Sequence, residues 1–134
     1  MANGYESYEG NTFDMKDLTR WDSIIDGLVI EPDAEKIQAT TIEIAKDLIR
    51  LLARLNPPTD IYADGDGGLC FEWYEGKDWL VDLSIDPERR PGSEKYALVI
   101  VTRLGKERAT WWDAWDGALS SRLKEALSLW AAGP

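Results

Sequence analysis

Leu69-Cys70-Phe71-Glu72-Trp73-Tyr74, a turn at Glu75-Gly76-Lys77-Asp78, then Trp79-Leu80-Val81-Asp82-Leu83-Ser84-Ile85-Asp86: on both sides of the turn, apolar residues recur at every second position. Period two is the signature of a strand with one buried and one wet face, and the Gly-containing turn joins two such strands as a hairpin. Phe71, Trp73, Trp79, Val81 and Leu83 supply the apolar face. Upstream, Ile61-Tyr62-Ala63 predicts a short strand, followed by Asp64-Gly65-Asp66-Gly67-Gly68, a turn rich in residues that tolerate positive φ. Downstream, the loop Pro87 to Ser93 precedes Tyr96 to Thr102, whose centre Ala97-Leu98-Val99-Ile100-Val101 is apolar on both sides and predicts a central strand. Glu107 to Trp111 adds an edge strand.

Away from this meander the period changes. Ile37, Thr41, Ile44, Leu48, Leu51 or Leu52 and Leu55 recur at three and four residues, which predicts an amphipathic helix over about Pro32 to Leu55, stopped by Asn56-Pro57-Pro58. Asp33 and Glu35 suit its N-terminal end, and Arg50 and Arg54 its C-terminal end. Met15 to Ile30 predicts one or two short helical turns broken near Gly27. At the other end Trp115, Leu119, Leu123, Leu127 and Trp130 form a helical stripe, with Asp113 as the expected cap. The expected architecture is a single α+β domain over 15–134: a long N-terminal amphipathic helix, an antiparallel meander of four to five strands and a C-terminal helix packed on the apolar sheet face. Residues 1–14, with Gly4, Gly10 and no sustained period, are expected to form a mobile acidic arm.

Composition limits what such a domain can do. The 134 residues carry 25 acids against 15 bases, a net charge of -10. That balance disfavours direct binding to nucleic acid, where Lys and Arg must neutralise phosphates, and disfavours anionic membranes. Histidine is absent, which removes the commonest general base, zinc ligand and nucleophile partner. One cysteine, Cys70, can form neither an intrachain disulfide nor a Cys-rich metal site. No window reaches the ~18 apolar residues of a membrane span and the first residues lack a secretory pattern, so a cytoplasmic protein is expected.

Three groups of residues could carry chemistry. Asp64 to Gly68 fails the calcium-loop pattern, because a loop begun at Asp64 places Gly68 and Leu69 where an oxygen ligand and a glycine are needed. Glu72, Asp82 and Asp86 share the wet side with Cys70 and Ser84, where two carboxylates could act as acid and base; a solvated sheet face is the plainer reading. Seven tryptophans include Trp111-Trp112-Asp113-Ala114-Trp115. Adjacent strand residues face opposite ways, so at least one of Trp111 and Trp112 is expected outside the main core as an aromatic contact.

Charge is also polarised along the chain. Residues 1 to 35 hold nine acids against Lys16 and Arg20, or -7, whereas Arg89 to Arg108 holds six bases against two acids, or +4. Such polarity steers a basic partner onto one side.

Trp21-Asp22 ahead of a long helix, together with Asp66-Gly67-Gly68-Leu69-Cys70-Phe71-Glu72-Trp73 on a hairpin, resembles a widespread group of small bacterial proteins without an assigned function. The resemblance spans roughly Trp21 to Ile85. It implies the helix-then-meander order and no activity.

The expected function is therefore a non-enzymatic inhibitor or neutralising partner, of the antitoxin, immunity or phage anti-defence kind, covering a basic surface of a nuclease or nucleic-acid-binding complex. The expected contacts are Asp14, Asp17, Asp22, Asp26, Glu31 and Asp33, with Trp111 or Trp112 as apolar anchor. No cofactor and no metal are expected. One alternative is a subunit of a larger assembly or homo-oligomer that buries Trp111, Trp112 or the second face of Tyr96 to Thr102. Another is a small carboxylate-based or metal-assisted hydrolase using Asp64, Asp66, Glu72 and Asp82.

Overall fold

The alternating stretches pair into one sheet. The structure, a computed structural model, describes residues 15–29, 37, 39–63, 67–89 and 96–134. Among them, five antiparallel strands run in sequence order: β1 (Asp60–Ala63), β2 (Leu69–Gly76), β3 (Trp79–Arg89), β4 (Tyr96–Leu104) and β5 (Glu107–Ala114). Register follows the hydrophobic pattern, with Phe71 opposite Leu83 and Leu83 opposite Ile100, so one face collects the large apolar side chains. Phe71, Trp73, Val81, Leu83, Ile85, Leu98 and Ile100 are all buried there, while Trp79 is half-buried.

Three helices cover that face: α1 (Met15–Val29), α2 (Ala39–Leu55) and α3 (Ser121–Ala132). The α2 stripe Ile44, Leu48, Ile49 and Leu52 is buried against β2 and β3, and α1 packs on α2 and β1. Indole donors fix the layers to one another. Trp73 Nε1 donates to Asn56 O at 2.9 Å, just beyond the end of α2. Trp79 and Trp130 exchange bonds, each indole N–H donating to the other residue's carbonyl at 3.0 and 3.2 Å, which clamps the end of α3 to the start of β3.

The α+β class and the element order match the sequence reading, and five details differ. First, α1 is one 15-residue helix that continues through Gly27 instead of breaking there. Trp21 and Ile25 bury one side of it, and packing outweighs the roughly 1 kcal/mol helix penalty of a glycine. Second, α3 begins at Ser121, so Trp115 and Leu119 belong to the preceding loop. Ser120, not Asp113, is the cap: its Oγ accepts from Leu123 N at 3.1 Å and donates to Asp113 Oδ2 at 2.7 Å. Third, β5 extends to Ala114, beyond the expected Trp111. Fourth, α2 begins at Ala39 with Ile37 outside it, so the expected long helix is shorter at its start than Pro32 to Leu55. Fifth, β3 runs to Arg89, into the expected Pro87 to Ser93 loop. Pro32 itself, the 1–14 arm and the centre of the Asp64–Gly68 turn lie outside the described residues.

Candidate functional site

The sheet face away from the helices carries the candidate chemistry. Side chains alternate along each strand, so the residues opposite the core line up in rows across the sheet. One row is Asp60, Glu72, Asp82, Val101 and Thr110; the next is Tyr62, Cys70, Ser84, Val99 and Trp112. Three carboxylates therefore stand side by side on β1, β2 and β3, with Glu72 directly between the other two.

A hydrogen-bonded cluster adjoins them. Tyr62 Oη donates to Asp82 Oδ2 at 2.7 Å, Ser84 Oγ donates to Asp82 Oδ1 at 3.4 Å, and Cys70 Sγ lies 3.2 Å from Ser84 Oγ. Burial pushes the Tyr62 phenol well above its usual range, and the bond to Asp82 adds to the effect. Tyr62 thus stays protonated and acts as a donor that anchors one oxygen of Asp82. Glu72 is raised too, first by burial and then by the charges of Asp82 and Asp60. Among the described residues neither salt bridge involves any of the three acids: the pairs are Lys46 with Asp26 and Arg108 with Asp78.

This arrangement concentrates negative charge on the outer face of β1 to β3. Cys70 is buried, with a hydroxyl beside it and no histidine in the chain to draw off its proton. Among the described residues no three His, Cys, Asp or Glu side chains converge to hold a metal ion. Of the residues expected for a hydrolase, Glu72 and Asp82 are direct cross-strand partners, and Asp64 and Asp66 lie outside the described residues.

Of the expected partner-binding residues, the structure describes the side chains of Asp22, Asp26, Trp111 and Trp112. Asp26 is exposed but committed to Lys46 at 2.8 Å, and this bond holds the Lys46 ammonium above its usual range. Asp22 is half-buried, and its Oδ1 has no hydrogen-bond partner among the described residues. Asp17 lies on α1, but its side chain is outside the described set; Asp14, Glu31 and Asp33 are outside it altogether. Trp111 and Trp112 face opposite ways, as adjacent strand residues must. Trp111 is on the helix side, packed against the core with the Arg122 guanidinium 4.0 Å over its ring. Trp112, 48% exposed, is on the outer face beside Val99.

Two participants were not legible in the sequence. Tyr62 follows the alternation of a four-residue strand, yet only the β1–β2 register brings it within reach of Asp82. Arg122 meets Trp111 across a loop, and no local pattern signals that contact. Comparison with protein-family models, with curated proteins and with solved structures finds no match.

Proposed function

We propose that this chain is a non-enzymatic interaction protein that uses its acidic side to cover a basic surface of a partner. The partner class in this reading is a nuclease or nucleic-acid-binding complex, and the role is that of an antitoxin, immunity or anti-defence inhibitor. The observation that carries it is the row Asp60, Glu72 and Asp82, three carboxylates on adjacent strands, none of which forms a salt bridge among the described residues. Like charges directly opposite one another destabilise a sheet, so such a row costs the fold something that a cationic partner would return. The net charge of -10 has the same sign, which accelerates encounter with a basic surface. Trp112, one row away, is an apolar anchor at the margin of the patch.

The test is a triple variant, Asp60→Asn, Glu72→Gln and Asp82→Asn, compared with the wild type. Affinity capture from the native host identifies the partner, and stopped-flow association at several salt concentrations then measures the encounter. The expected result is an on-rate reduced by roughly tenfold or more at low salt, with a flatter salt dependence. An unchanged on-rate would overturn the proposal.

A further inference from the structure

On the opposite face and the opposite edge of the sheet, three independent features meet. The first is a strand edge. Among the described residues β5 pairs only with β4, and Trp115 N–H donates to Tyr96 O at 2.8 Å at the end of that ladder. In an antiparallel pair the hydrogen-bonding direction alternates along the strand. Odd-numbered residues of β5 therefore face β4, and the backbone N–H and C=O of Arg108 and Thr110 point out of the sheet. The second is a cleft of about 320 Å³ between β5 and α3, walled by Trp79 and Trp111 and floored by Leu104, Ala109, Ala126 and Leu129, with Glu107 and Glu125 also in its lining. It is open because α3 packs over β3 and β4, leaving β5 without a fully buried residue and Leu129 53% exposed. The third is Arg122, at the Trp111 end of the cleft, which stacks on that indole and has no carboxylate partner among the described residues.

We infer that this cleft binds an extended peptide segment of a partner protein, which adds to the edge of β5 and sets a single acidic side chain against Arg122. The outward backbone groups of Arg108 and Thr110 ask for another extended backbone, which is the mode of strand addition. Every second side chain of an added strand falls on the helix face of the sheet, where the cleft lies. One such side chain reaches Arg122, and the next on the same face reaches the apolar floor beside Ala109. The motif is thus an acidic residue and a large apolar residue two positions apart. A guanidinium held over an aromatic ring keeps its planar donors free for a carboxylate, so the side chain set against Arg122 is an acid, while Glu107 and Glu125 in the same lining disfavour further acids along the segment. Arg108, at the other end of the cleft, is already tied to Asp78 at 2.8 Å and contributes only its backbone.

The probe is a phage-displayed library of random octapeptides panned against the full chain. Enriched clones are then measured as synthetic peptides on the wild type, on Arg122→Glu and on Thr110→Pro. Proline at 110 removes an outward N–H without touching the β4 ladder. The expected result is a consensus with an acid and a large apolar residue two positions apart, binding roughly tenfold or more weaker to both variants. No enrichment, a basic consensus, or binding that survives in Arg122→Glu overturns the inference. Arg122 is exposed on α3, so its variant keeps the test decisive should Thr110→Pro fail to fold. Sedimentation showing a dimer that Thr110→Pro abolishes would put a second copy of the chain on this edge and overturn it as well.

Discussion

Glu72→Gln should stabilise this protein at neutral pH, and only there. Glu72 stands between Asp60 and Asp82 on neighbouring strands. Each like-charge cross-strand pair costs about 0.2–1 kcal/mol, so an uncharged residue of the same shape should add roughly 0.4–2 kcal/mol at low salt, toward the lower end because the face is partly solvated. The pH dependence has a definite sign. Burial and the two neighbours raise the folded carboxyl above its unfolded value, so the group's stabilising contribution is complete below the unfolded pKa of about 4.3 and is lost as pH rises through the folded pKa. Wild type and variant should therefore coincide near pH 3 and diverge as pH rises toward 7. Urea unfolding at pH 3 to 8, in low salt and in 1 M NaCl, measures this. High salt should remove the part due to Asp60 and Asp82 and leave the part due to burial. A pH-independent difference, or a variant less stable than wild type at pH 7, would refute the reasoning.

Three further outcomes follow from the packing. Trp130→Phe keeps the aromatic body but deletes the N–H donated to Trp79 O, and should lower the unfolding free energy by about 1 kcal/mol in urea titrations; combined with Trp79→Phe the losses should be less than additive, since both bonds need the same approach. Ser120→Ala removes the α3 cap and the donor to Asp113, costing about 1–2 kcal/mol by thermal melts, whereas Ser120→Gly should cost only a few tenths for the cap itself. Gly27→Ala should raise stability by about 0.5–1 kcal/mol in the same melts, because Gly27 sits inside α1 with nothing within 4 Å of an added Cβ.

The meander was legible because burial on one face writes itself into the sequence at period two, and the turns between strands are short. Phe71, Val81 and Leu83 could not be moved by one residue without turning the core out to water. The same alternation placed Glu72, Asp82, Cys70 and Ser84 on one side. What it could not supply was lateral register at β1, on which Tyr62 and Asp60 depend, since four residues pair equally well at several offsets. The helix ends were misplaced for a related reason. Trp115 and Leu119 fit an i, i+4 stripe by spacing, yet Ser120 competes for the cap and wins by bonding both Leu123 N and Asp113. Gly27 misled in the opposite direction, because its local propensity is overridden by burial of Trp21 and Ile25.

Charge, which along the chain is an acidic start and a basic late segment, becomes across the fold a difference between two edges. Asp60, Glu72 and Asp82 lie on the outer face of β1 to β3, with Arg103 and Arg108 in the next row of that face on β4 and β5, whereas Arg122 stands on α3 at the cleft on the helix face. Three strand spacings of about 4.8 Å separate the middle of the acid row from β5, or roughly 14 Å, and the two surfaces lie on opposite faces. That exceeds the Debye length of about 8 Å at physiological salt, so neither surface feels the other's charge strongly. A cationic partner on the acid row and an added strand at β5 would then bind independently. Neutralising Asp60, Glu72 and Asp82 should leave peptide binding at Arg122 intact, and Arg122→Glu should leave association at the acid row intact. The two surfaces can therefore fail separately, and each tests a different idea about what this protein meets.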